Sequence, residues 1–158
     1  KDILEELDQQ VQNSINLGAK LVAGGERMGK KGYFYIPTIL ANITKEMPVY
    51  YEETFGPVFA IIKFNSTDEM IEIANDSEFG LQSSCFTSSL ETAFRISEEL
   101  HVGSLWINEG SRFRMDTTPF GGVGSSGFGR EGVKYAMEEL SYIKFTGIRF
   151  PGLEEKRK

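Results

Sequence analysis

The chain is poor in the residues behind several familiar chemistries, and each shortage closes a class of function. A single cysteine, Cys85, rules out an internal disulfide and favours a reducing compartment, with the cytoplasm as the default. A single histidine, His101, with no cysteine or acidic cluster at ligand spacing around it, argues against a metal site. No apolar run approaches the ~20 residues that cross a bilayer, so no membrane partner is expected. The chain opens on Lys1-Asp2 rather than on a signal peptide, and Lys1 is not read as a natural start. No basic block offsets the formal net charge of -6, which argues against nucleic acid, because a phosphate backbone calls for a clustered Lys/Arg surface. Internal repeats and low-complexity linkers are missing too.

What remains is the composition of a globular domain, 40% hydrophobic and 25% charged, long enough to bury roughly two-thirds of its unfolded surface in one core. Ile3, Leu4, Leu7, Val11 and Ile15 recur at spacings of three and four, which predicts a helix over residues 2–17 closed by Gly18. Residues 20–23 read as a short strand. Residues 33–40 contain Pro37 and read as an edge or irregular strand. The continuous apolar run 58–64 predicts a strand buried on both faces, and Ser66-Thr67-Asp68-Glu69 starts the next helix. A strand over 81–87, a helix over 90–100 and a buried strand over 104–108 follow. His101 falls where a cation meets a helix C-terminus. After an aperiodic loop, 109–128, come a helix over 131–140 and a two-faced strand from Tyr142. Strands separated by helical stretches of about a dozen residues imply β-α-β crossovers. The expected fold class is therefore α/β, a largely parallel sheet with helices on both faces and a C-terminal β extension.

Three segments carry the chemistry. Gly122-Val123-Gly124-Ser125-Ser126-Gly127 is a literal G-x-G-x-x-G, but Pro119-Phe120 precede it instead of a strand and no acid lies about 20 positions on. A tight chain crossing explains these glycines better than a phosphate cradle. In Glu52-Glu53-Thr54-Phe55-Gly56-Pro57 two carboxylates adjoin an aromatic and a turn. Glu53 could accept hydrogen bonds from adjacent sugar hydroxyls, and spacing alone also allows both acids to be solvated loop residues. Arg112 and Arg114 flank Phe113 and form a fork-capable pair suited to phosphate, sulfonate or carboxylate, or else pair with Glu109 or Asp116.

The E-E-x-F-G-P segment, Pro119-Phe120-Gly121-Gly122, the S-G-x-G-R-E pattern at Ser126 to Glu131 and Trp106-Ile107-Asn108 together resemble the C-terminal part of an NAD(P)-dependent aldehyde dehydrogenase, over residues 10–150. The resemblance implies NAD or NADP as cofactor, with Glu53 binding the ribose of the nicotinamide nucleoside and Phe55 packing near it. It implies a small aldehyde substrate, short and with an anionic group among the options, in a funnel lined by Arg112, Phe113, Arg114 and Phe120. Family members form a thiohemiacetal on a cysteine and pass hydride to NAD(P)+, with water or coenzyme A taking the acyl group. The segments bearing that cysteine and the general-base glutamate lie upstream in the family and match nothing here, so the fragment alone is expected to be inactive. Cys85, on a predicted buried strand without a base beside it, reads as a small core hydrophobe. The implied division is a partial catalytic domain over 1–128, a C-terminal helix and oligomerisation strand over 129–150, and a tail over 151–158. Homo-oligomers would form through residues 141–150. The rival reading is a noncatalytic assembly module that pairs its exposed C-terminal strand with a partner.

Overall fold

The computed structural model describes residues 1–29 and 31–150. The chain divides into two compact units, one of Lys1–Phe79 with Thr87–His101, the other of Gly80–Phe86 with the described residues from Val102 onward.

The first unit is built on α1 (Asp2–Asn16), whose end forms a complete Schellman motif. Gly18 adopts φ +107, its amide donates to the Ile15 carbonyl, and the Ala19 amide donates to that of Ser14. The helix turns Leu4, Leu7, Gln10, Val11 and Ser14 inward. Ile3, expected on that face, is exposed, because the buried stripe runs through Leu4 and the polar Gln10 and Ser14 instead. β1 (Lys20–Ala23) pairs antiparallel with β2 (Thr38–Ala41), and β2 pairs parallel with β3 (Val58–Ile61). Pro37 does precede a strand, but β2 is central rather than an edge, since it begins one residue later and keeps its full set of amides. Thr38 and Leu40 face the α1 core while Ile39 and Ala41 alternate away, and the β3 partners of those two, Phe59 and Ile61, are exposed. The expectation that the run from Val58 is buried on both faces is therefore corrected: within β3 only Val58 is half-buried, packed with Ile62 against the α1 core.

α2 (Pro48–Tyr51) was not legible as a helix, α3 (Thr67–Asn75) begins at Ser66 as expected, and α4 (Leu90–Glu99) begins at Ser89. The Ser66 hydroxyl accepts from the Glu69 amide and that of Ser89 from the Thr92 amide. Arg95 of α4 bonds Asp68 of α3 as well as Glu99, and the Asn75 side chain donates to the Glu99 carbonyl at 2.8 Å. His101 follows the C-cap Leu100 of α4, exposed, and its backbone amide donates to Asn75 Oδ1 at 2.9 Å.

In the second unit β5 (Gln82–Cys85) and β6 (Ser104–Ile107) form a parallel pair. The short strands β4 (Phe79–Gly80) and β7 (Val123–Gly124) form another two-stranded sheet, and α5 (Val133–Glu139) follows. The architecture is thus mixed α/β, with helices and, among the described residues, three small sheets. Residues 141–150, expected as a strand, are exposed and form no strand among the described residues, since no backbone ladder joins them to a described strand. The expected tail, 151–158, lies outside the described residues.

Candidate functional site

In the first unit, the segment from Glu52 to Pro57 is fixed by its neighbours. α2 leads into it, tied at Tyr50, whose hydroxyl donates to Asp76 Oδ2 at 2.9 Å, while Lys45 Nζ meets the same oxygen at 2.7 Å. The Lys45 contact, then that of Tyr50, holds the Asp76 carboxyl below the usual range. Glu52 Oε2 accepts from Gln10 Nε2 at 3.0 Å, and the same nitrogen lies 3.5 Å from the Glu53 carbonyl oxygen. A Cβ at Gly56 would overlap Leu7, and the Pro57 carbonyl accepts from the Thr38 amide at 2.8 Å. From this pinned backbone Glu53 projects an exposed carboxylate with no partner among the described residues, and two positions on the Phe55 ring is 67% exposed. An unpartnered acceptor beside an open aromatic face suits a ribose diol next to a flat ring.

In the second unit the chain leaves β6 through Asn108, which takes a left-handed φ of 58 that asparagine tolerates, its amide bonded to the Cys85 carbonyl at 2.8 Å. Phe113 then meets Trp106 edge to face, centroids 5.0 Å apart, and its carbonyl accepts from Gln82 Nε2 at 3.0 Å. Arg114 lies 4.1 Å over the Phe120 ring and bonds Glu131 at 2.8 Å. Phe120 is bridged to Glu131 through both backbone groups. Trp106, Phe113, Arg114 and Phe120 all line a cavity of about 250 Å³. Of the four residues expected in the substrate wall, three therefore come together. Arg112 does not line that cavity; it is exposed and unpaired among the described residues. The ion pairing considered for the arginines falls on Glu131, neither on Glu109 nor on Asp116.

The glycine run behaves as a chain crossing. A Cβ on Gly103 would overlap the Gly121 carbonyl, one on Gly122 would overlap Ser126, and Gly124 and Gly127 have positive φ. Cys85 is half-buried on β5. Among the described residues no group of three His, Cys, Asp or Glu could hold a metal ion, and no helix is long and apolar enough to cross a membrane. Sequence reasoning missed Gln10, and it placed Trp106 and Glu131 in motifs without their contacts to Phe113 and Arg114. Gln10 had a signal of its own, being a polar residue three after Leu7 on the inward stripe.

The model of the aldehyde dehydrogenase family matches residues 1–146. The 3-sulfolactaldehyde dehydrogenase of Priestia megaterium is 43% identical over 137 residues, covering 87% of this chain and 28% of that protein. The lactaldehyde dehydrogenase of Methanocaldococcus jannaschii is 47% identical over 140 residues, covering 89% and 29%. Among solved structures, the NAD-dependent aldehyde dehydrogenase from Sinorhizobium meliloti superposes with a TM-score of 0.86 at 38% identity, over 91% of this chain and 28% of that one. The glyceraldehyde-3-phosphate dehydrogenase from Methanocaldococcus jannaschii, complexed with NADP, superposes with a TM-score of 0.82 at 46% identity, over 90% and 30%. The chain spans less than a third of the length of each of these relatives.

Proposed function

Because this chain belongs to the aldehyde dehydrogenase family, we propose that it forms part of the catalytic domain of an NAD(P)-dependent aldehyde dehydrogenase, with residues 129–150 as its C-terminal helix and oligomerisation segment. The observation that carries this reading is the free carboxylate of Glu53 on a backbone fixed at both ends, beside the open ring of Phe55. Glu53 accepts from the ribose hydroxyls of the nicotinamide nucleoside, and Phe55 packs near that ribose and limits where the ring can lie. NAD or NADP, when bound, takes up the hydride of aldehyde oxidation. Phe113 and Phe120 wall the aldehyde funnel and exclude water, and the arginines favour a short aldehyde with an anionic group. Relatives named for 3-sulfolactaldehyde and glyceraldehyde-3-phosphate support that charge preference. No residue of this chain takes the part of the nucleophilic cysteine or of the general base, so the thiohemiacetal chemistry belongs to other segments of the enzyme and this chain alone does not turn over substrate.

In the whole enzyme the uncovered face at Phe59 and Ile61 packs within a larger, largely parallel sheet with helices on both faces, in the cytoplasm. Residues 141–150, with Ile143 fully exposed and Phe145 nearly so, pair with another copy; the same exposure is what favours the second reading, an assembly module acting through this segment. Glu53→Gln in the full-length enzyme tests the main reading. Loss of a charge-assisted acceptor should weaken cofactor binding by about 1.5–3 kcal/mol, or about one to two decades, with an unchanged Tm. Unchanged cofactor kinetics would remove Glu53 from the site.

A further inference from the structure

We infer that Gln10 is a positioning residue that divides the labour of the two adjacent acids, holding Glu52 as an anchor so that Glu53 is free for the ligand. The inference rests on the cofactor reading above. Leu7, Gln10 and Ser14 follow one another at spacings of three and four, so they share one face of α1. Each meets a different part of the segment that carries the acids. Ser14, fully buried, donates to the Gln10 carbonyl at 2.8 Å and accepts the Val49 amide at 3.4 Å, at the start of α2. Gln10 takes the Glu52 carboxylate at 3.0 Å and approaches the Glu53 carbonyl at 3.5 Å. Leu7 lies where a side chain on Gly56 would go.

Gln10 is only 5% exposed, at a position where leucine or methionine would fill the same volume. Burying an amide is unfavourable unless it is hydrogen-bonded, and this one spends its donors on the Glu52-Glu53 turn. The consequence falls on the neighbouring side chain. With the Glu52 carboxylate occupied and the Glu53 carbonyl held, the Glu53 carboxylate starts from an ordered backbone, and that ordering entropy is lost on folding instead of on binding. Gln10 touches no ligand in this arrangement and acts only through Glu53.

The test uses the full-length enzyme with Gln10→Met, Glu53→Gln, the double variant, and Ile15→Val, which trims a residue packed on the same core away from the acids. Dissociation constants for NADH and NADPH are read by fluorescence titration, and backbone order by hydrogen exchange at residues 53–56. Gln10→Met should raise the dissociation constant about fivefold and speed exchange at 53–56, whereas Ile15→Val should lower Tm without moving either. Added to Glu53→Gln, the Gln10 change should cost less than about twofold more, because both act at one point. Fully multiplicative effects, or unchanged exchange at 53–56 in Gln10→Met, overturn the positioning role while leaving the cofactor reading intact. A Glu53→Gln enzyme that binds cofactor normally overturns the cofactor reading itself, and this inference with it.

Discussion

The two units reach their local order by different means. In the first, Leu4, Leu7, Val11, Ala19, Tyr35, Leu40, Ile43, Met47 and Val49 form one buried apolar cluster, and the acids at 52 and 53 are mounted on it through α1. In the second, the buried described residues are glycines, Gly80 and Gly122, and no apolar side chain among the described residues is buried. The loop carrying Phe113 and Arg114 there is held by an edge-to-face ring pair, a guanidinium on a ring, an ion pair and backbone contacts made possible by missing side chains. Hydrophobic burial scales with area, whereas these contacts are directional and individually small. The acid at 53 thus stands on an apolar mount and the rings at 113 and 120 on a polar one.

The largest expected effect belongs to the first unit. Leu40 is fully buried, so Leu40→Ala should lower the stability of that unit by about 2–5 kcal/mol in urea denaturation. Trp106→Ala, the bulkiest truncation available in the second unit, should cost less, since Trp106 is half-buried. An equal or larger loss at Trp106 would break the contrast between the units.

In the second unit the most damaging change is instead an addition. Gly103→Ala places a methyl group on the Gly121 carbonyl, and backbone cannot rotate aside as a side chain can. Overpacking of this kind costs about 1–3 kcal/mol, seen as faster hydrogen exchange in β6 and around Gly121. Exchange unchanged by the extra methyl group would mean that the glycine crossing is looser than its geometry implies.

Much of the first unit was legible because its signals are local. Gly18 marks a Schellman end and Ser66 an N-cap, and both depend on a few neighbouring residues. Burial was less legible: the apolar run from Val58 marks a strand correctly, but whether Phe59 is covered depends on what packs on that face, which the run does not encode. The segment from Tyr142 forms no strand within the single chain for a related reason, since alternation gives a segment two faces and pairing needs a second segment. α2 escaped because four residues are too few to show a period; its one sign is Pro48 at the first helical position. At the candidate site, residue types were readable and pairings were not. Glu53 and the ring of Phe120 come from motifs, whereas the choice of Glu131 as the partner of Arg114 joins positions 17 apart through a loop without period.

A smaller effect separates the units by pH. Tyr35 is buried and donates to Asp8 Oδ1 at 3.1 Å, and burial first, then the Asp8 hydrogen bond, pushes its phenol up to about 12. The unfolded phenol titrates near 10, so folding favours the protonated form. That contribution is complete below about pH 10 and is lost as pH rises toward about 12. Tyr35→Phe should cost about 0.5–1.5 kcal/mol at neutral pH and flatten the alkaline decline of the first unit's urea midpoint. An alkaline decline just as steep in Tyr35→Phe would assign it to other groups.

The smallest effect sharpens the account of the cluster around Arg114 and Phe120. Arg114 and Glu131 are largely exposed, so their ion pair should contribute about 0.2–1 kcal/mol, and the guanidinium stacked on Phe120 adds a term of similar size. Arg114→Lys keeps the charge and loses the flat face and the fork, whereas Glu131→Gln keeps the stacking and loses the pair. Hydrogen exchange over residues 110–120 should quicken modestly in both. Raising salt toward 1 M, where screening acts over about 3 Å, should quicken the wild type and leave Glu131→Gln less affected. Arg112→Lys should change exchange at neither salt, because Arg112 has no partner among the described residues to lose. If Arg112→Lys loosened the loop as much as Arg114→Lys, the two arginines would share the structural task, and neither would be left free for an anionic substrate.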